Sequence, residues 1–229
     1  MPLADLVSRE ASFLILPVSK NVARIWLVPL GLISLGLVTT VNRLAGRLAP
    51  DVAWLPDSCI ASLAVCIAVY LAIRPARPFA PPLPTTPWPR VLRLSIGWLV
   101  LWLALSAIAA SAAGHWLRYR LANGPSEIIA FVIIGPLQEE LLFRGAIFEL
   151  AERSALTRDT LAPVAISSIL FALHHFQLHG YHLTPAALLQ AGFALPMGWV
   201  FGTLRAQSAS IWPAFVVHVL TNVPGVFGH

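Results

Sequence analysis

The chain has 229 residues, 58% hydrophobic and only 11% charged, with a mean hydropathy of +0.78. Soluble domains carry about 25% charged residues, so a large water-soluble fold is excluded, whereas several membrane spans of about 20 apolar residues fit. The net charge of +5 does not indicate nucleic acid, because the arginines sit at the ends of apolar runs, where they set membrane topology.

In chain order, the first 20 residues contain Asp5 and Glu10 and lack the apolar core of a cleaved signal peptide. They are too short and mixed to span, and read as an interfacial segment. The remaining pattern predicts an all-α fold, a polytopic transmembrane helical bundle of about seven spans (six to eight). The spans fall roughly at 22–42, 53–73, 94–114, 127–149, 160–177, 184–204 and 209–227. Cys59 and Cys66 lie inside the second run and read as small buried hydrophobes, not as a disulfide or a metal pair.

Between the second and third spans lies a Pro-rich linker, Pro75 to Pro89, with seven prolines. Proline lacks the N–H and clashes with the preceding turn, so a helix there is not expected. Arg74, Arg77, Arg90 and Arg93 flank or lie within it without an acidic residue, which places the linker and the N-terminus in the cytoplasm. On that orientation Arg9, Lys20, Arg24, Arg153, Arg158 and Arg205 are also inside, and Arg43, Arg47, Arg118 and Arg120 are outside. The chain divides into N-terminal membrane helices (1–74), the linker (75–93), a third span and loop (94–124), and a polar-bearing helical core (125–227). The composition and topology suit a bacterial inner membrane.

The core holds groups that are costly in a bilayer, roughly 3 kcal/mol per charge near its centre. Glu139, Glu140 and Arg144 share the fourth span. Glu140 and Arg144 are four apart on one face and read as an ion pair; Glu139 is turned about 100° away, with no partner in its own helix. Pro136 frees a carbonyl in the preceding turn and predicts a kink beside the site. In the fifth span His175 shares a face with Phe171 and Ser168, and His174 lies on a neighbouring face. In the seventh, His218 and Asn222 are one turn apart. A lone histidine on an apolar helix is usually a core residue; three helices each offering polar groups point to a site.

The segments Glu139-Glu140-x-x-x-Arg144, Phe171-x-x-x-His175 and His218-x-x-x-Asn222 resemble the three motifs of the CPBP family. That family groups CAAX prenyl proteases with bacteriocin-processing enzymes. Pro136, Phe143-Arg144-Gly145 and Ser210-Ile211-Trp212-Pro213-Ala214 agree with its motif flanks, and the resemblance covers about residues 125–226. His174 departs from it, since many members have a small residue there.

The resemblance implies an intramembrane endopeptidase of the glutamic type, acting on a membrane-tethered protein or peptide. It implies that Glu139 and His175 activate a water and that His218 and Asn222 stabilise the oxyanion, with Glu140 and Arg144 as support. Chemistry agrees: a desolvated carboxylate is a strong base, and imidazole and amide N–H groups are suitable donors. No serine-hydrolase elbow, membrane aspartate pair or His-Glu-x-x-His zinc motif is present. No cofactor is expected. A zinc site built from Glu139, His175 and His218 is the competing arrangement, and a non-catalytic immunity or scaffold protein the competing class. His179 and His182 read as loop residues near the mouth of the site, and Pro196, Gly198 and Gly202 as packing or kink positions. The substrate is open between a prenylated CaaX tail, a leader peptide and a C-terminal sorting tail.

Overall fold

The computed structural model describes residues 25–27, 29, 63–69, 82, 85–113, 128–154 and 161–227. The interfacial segment, most of the first two expected spans, most of the linker, and Cys59 lie outside the described residues. Regular structure among the described residues is entirely helical.

Helix α1 is Trp88–Ala113. It starts six residues before the expected third span, inside what the sequence assigns to the linker. Pro89 falls in its first turn, where a missing N–H has no carbonyl to meet, and so opens the helix instead of preventing it. Val91, Leu94, Trp98 and Trp102 turn inward, whereas Leu92, Ile96, Val100 and Leu103 point out at about half exposure. Spacing of three and four separates these faces. The Trp98 and Trp102 indoles both reach Thr221: Nε1 of Trp98 donates to its Oγ1 (3.3 Å) and Nε1 of Trp102 to its carbonyl (2.9 Å). Cys66 is a buried free thiol in the same apolar cluster, as expected for a small hydrophobe.

Helix α2 (residues 128–154) alternates between two windings, with π stretches at Ala130–Ile134 and Leu141–Ile147 and α stretches at Gly135–Glu140 and Phe148–Ser154. The first π stretch adjoins Pro136. With i→i+5 bonding the carbonyl facing Pro136 is that of Phe131, and the Asn222 amide donates to it at 3.1 Å. The carbonyl expected to be freed by Pro136 is therefore met by a side chain of another helix.

Helix α3 (Leu161–His174) tightens into a 3₁₀ turn, His175–His179, which ends at left-handed Gly180. Helix α4 (Pro185–Ser208) begins with Thr184 capping Ala187 N–H and ends at left-handed Ala209. Ser208 and Ser210 bond each other across the short corner before α5 (Trp212–Asn222), and α6 is Pro224–Phe227. The Ser210-Ile211-Trp212-Pro213 flank is thus the corner and first turn that aim the third motif inward. Two described helices, Trp88–Ile108 and Pro185–Ser208, are long and apolar enough to cross a membrane; Leu161–Gln177 is apolar but shorter.

Helices α3 and α4 are in close contact because α4 presents glycine. A Cβ on Gly198 would sit 3.1 Å from Ser168 Cα, 3.2 Å from Phe171 Cδ1 and 3.3 Å from Arg144 Nη2; one on Gly202 would sit 3.2 Å from Val164 Cγ1. The packing role expected of these glycines holds. Because the nearest atom to Gly198 is backbone, Gly198→Ala is expected to cost about 1–3 kcal/mol, read as a lower unfolding midpoint of the detergent-solubilised protein.

Candidate active site

The site forms where α2, α3 and α5 meet beneath Phe143, Phe171 and Phe201, all fully buried. Its foundation is the pair expected from the i, i+4 spacing. Arg144 Nη1 lies 3.2 Å from Glu140 Oε1, and both side chains are fully buried. The other arm, Nη2, donates to the Gly198 carbonyl of α4 at 3.1 Å. The guanidinium carbon stands 4.4 Å from the Phe171 ring centre and 5.3 Å from that of Phe201. A desolvated cation over aromatic faces gains about 2 kcal/mol, which offsets part of the cost of removing it from water.

Glu140 does more than balance Arg144. Its Oε1 also lies 2.9 Å from His218 Nδ1 on α5. A carboxylate only accepts, so the Nδ1 proton is directed to Glu140 and Nε2 is turned the other way. Nε2 of His218 lies 3.6 Å from Glu139 Oε2. The two neighbouring glutamates therefore face opposite ends of one imidazole, a link that spacing within a single helix does not reveal.

Glu139 finds the polar company its sequence position calls for. Its Oε2 faces His218 and its Oε1 faces His174 Nε2 at 4.0 Å. Both separations are within ion-pair reach and longer than a hydrogen bond. Its side chain is 19% exposed, against 0% for Glu140, so of the two neighbouring carboxylates it is the one solvent reaches.

His175 sits at the start of the 3₁₀ turn, and its Nδ1 is 2.8 Å from the Phe171 carbonyl. That carbonyl accepts the Nδ1 proton and leaves Nε2 of the neutral ring as a lone-pair site. The Phe171 ring packs edge-on against His175 (4.8 Å) and His218 (5.8 Å), so one aromatic separates the two imidazoles. Ser168 turns back to bond the Val164 carbonyl at 2.6 Å.

Asn222 shares the His218 face, as expected, and its amide reaches α2 at the Phe131 carbonyl. One N–H suffices for that bond, and an amide has two. His182 is exposed in the loop expected of it, whereas His179 closes the 3₁₀ turn, with Nε2 2.6 Å from Gln190 Oε1. No set of three or more His, Cys, Asp or Glu side chains among the described residues is arranged to hold a metal ion.

Two participants, Arg205 and Gln177, are not evident from sequence spacing. Arg205, counted with the topology-setting arginines, is buried. Its Nε donates to the Arg144 carbonyl at 3.1 Å and its Nη2 to Glu149 Oε2 at 3.2 Å, with Arg153 on the other Glu149 oxygen at 2.9 Å. Only the Glu149–Arg153 interval of four signals any part of this network. Gln177 bonds His174 from within the 3₁₀ turn.

Comparison with known proteins agrees with the motif reading. Residues 121–224 match the family described as type II CAAX prenyl endopeptidase, Rce1-like. A probable CAAX prenyl protease 2 of Schizosaccharomyces pombe is 29% identical over 106 residues, covering 42% of this chain and 38% of that protein. The chain thus spans well under half the length of that curated relative. No solved structure matches. The matched stretch contains Glu139, Glu140, Arg144, His175, His218 and Asn222 together, so the likeness to type II CAAX prenyl endopeptidases of the Rce1-like kind falls on the part of the chain that builds the site.

Proposed function

We propose that the chain is an intramembrane endopeptidase that hydrolyses a peptide bond in a membrane-tethered protein or peptide without a metal. The observation that carries this reading is Glu139. It is a partly open carboxylate with its oxygens 3.6 and 4.0 Å from imidazoles of two other helices, beside a fully buried neighbour that holds one of them.

Glu139 takes a proton from a water that also donates to His175 Nε2, and the water oxygen bonds to the scissile carbonyl carbon. The carbonyl electron pair moves to oxygen, and that oxyanion accepts from His218 Nε2–H and from the second amide N–H of Asn222. With Nδ1–H given to Glu140, donation from Nε2 uses the doubly protonated ring. On collapse the C–N bond breaks and the leaving amine takes the proton from Glu139.

The same reading sets this core in a bundle of about seven spans in a bacterial inner membrane, with the N-terminus and the Pro-rich linker cytoplasmic. The outward apolar faces of α1 and α4 support it: Ile96, Val100, Leu189 and Trp199 are 43–62% exposed. The substrate it calls for is one of three membrane-tethered kinds: a prenylated CaaX tail, a leader peptide or a C-terminal sorting tail.

The test is cleavage of a tethered peptide by the purified chain in liposomes. Activity is expected to survive exhaustive chelation, with the product mass reporting the cut. Complete loss restored by added zinc would replace the base mechanism with a metal one, and an intact substrate would point to the scaffold class.

A further inference from the structure

Trp98 and Trp102 are four apart and so stand one above the other on α1, their ring centres 6.2 Å apart and stacked. Both reach across to one buried residue of α5, Thr221. An indole N–H only donates, so the direction of each bond is fixed. The Thr221 hydroxyl gives its own proton to the Val217 carbonyl at 2.8 Å and accepts from Trp98 at 3.3 Å, while its carbonyl accepts from Trp102 at 2.9 Å. The Phe193 ring of α4 packs edge-on against Trp102 at 5.8 Å. These bonds fall where α5 runs short of hydrogen bonds of its own. Val223 N–H closes on the Val219 carbonyl at 3.2 Å, but the next residue is Pro224, which has no N–H for the Leu220 carbonyl. The Thr221 carbonyl is one of the last four, which a helix leaves to outside partners. Asn222 lies in this turn, next to Thr221, with its amide on the Phe131 carbonyl. The turn is therefore held from α2 through Asn222 and from α1 through the two indoles.

We propose that Trp98 and Trp102 are positioning residues: through Thr221 they fix the last turn of α5, so that the second amide N–H of Asn222 stays aimed at the scissile carbonyl oxygen. Both lie before the matched residues 121–224, so α1 contributes to the site although the family likeness does not reach it. This rests on Asn222 being an oxyanion donor.

Trp102→Phe keeps an aromatic ring against Phe193 and removes the donor. It is expected to lower kcat about tenfold with KM unchanged, and Asn222→Ala to lower kcat about 10²-fold. Added to Asn222→Ala, Trp102→Phe is expected to change kcat by less than about twofold, because the group it positions is gone. An equal loss in both backgrounds, or unchanged kcat in Trp102→Phe alone, overturns the proposal. A readout independent of turnover is amide hydrogen exchange of the detergent-solubilised chain. In Trp102→Phe residues 219–223 exchange faster, while 214–217 keep their original rate. Unchanged exchange at 219–223 also overturns the proposal. If the Phe variant does not fold, replacement of Trp102 by 3-benzothienylalanine, which has sulfur where indole has N–H, takes its place with the same readouts. Unchanged kcat in Asn222→Ala, or a wild-type chain that cleaves nothing, defeats the oxyanion reading, while the exchange still decides whether the indoles hold the turn.

Discussion

Glu139→Gln is expected to abolish cleavage, by 10³-fold or roughly so, while the protein still inserts and unfolds within about 1 kcal/mol of its original stability. The two halves of that result have separate causes. Activity is lost because an amide accepts no proton from water, so the attacking oxygen is never activated. Stability is kept because Glu139 is 19% exposed and has no hydrogen bond shorter than its 3.6 and 4.0 Å approaches to His218 and His174. The neighbouring substitution separates a base from a brace. Glu140→Ala removes the acceptor of His218 Nδ1 and the partner of Arg144 together, so it is expected to lower stability and cleavage alike. Cleavage of a tethered peptide in liposomes and denaturant midpoints in detergent, measured side by side, make the comparison. If Glu139→Gln retained activity, or lost it only by unfolding, Glu139 would not be the base.

How much of this was legible in the sequence depends on the range of the interaction. The Glu140–Arg144 pair, the shared face of His218 and Asn222, and the isolation of Glu139 within its own helix all follow from residues one turn apart, because helical geometry is local. The family resemblance rests on the same residues. What crosses between helices was not legible. Nothing in the spacing joins Glu140 to His218, 78 positions away, or Arg205 to the Arg144 carbonyl, 61 positions away. Local backbone departures were hidden as well. In the π stretches of α2, carbonyls are met by side chains of other helices, Asn222 at Phe131 and Arg205 at Arg144, and spacing within one helix shows neither contact. Helix α1 starts within the Pro-rich stretch because proline breaks a helix only from its interior; at Pro89, in the first turn, it is a helix opener.

Arg144→Met is expected to be the most destabilising single change in the site, by about 3–5 kcal/mol, because it leaves a buried carboxylate without its countercharge. The same substitution takes the donor from the Gly198 carbonyl and the cation from between Phe171 and Phe201. Arg144→Lys keeps the charge but cannot match the two-armed contact to Glu140 and Gly198, so an intermediate loss is expected. Adding Glu140→Leu to Arg144→Met removes the uncompensated charge and should recover part of the stability, since residues in one network do not add. Cleavage should not return, because His218 Nδ1 then has no carboxylate to hold it and Nε2 is no longer fixed toward Glu139. Unfolding midpoints for the two singles and the double give the coupling, and the peptide assay gives the activity. A double variant that is both stable and active would mean that the buried pair only fills space. A stable and inactive one means that Glu140 and Arg144 set the orientation of His218, the one histidine that both glutamates face.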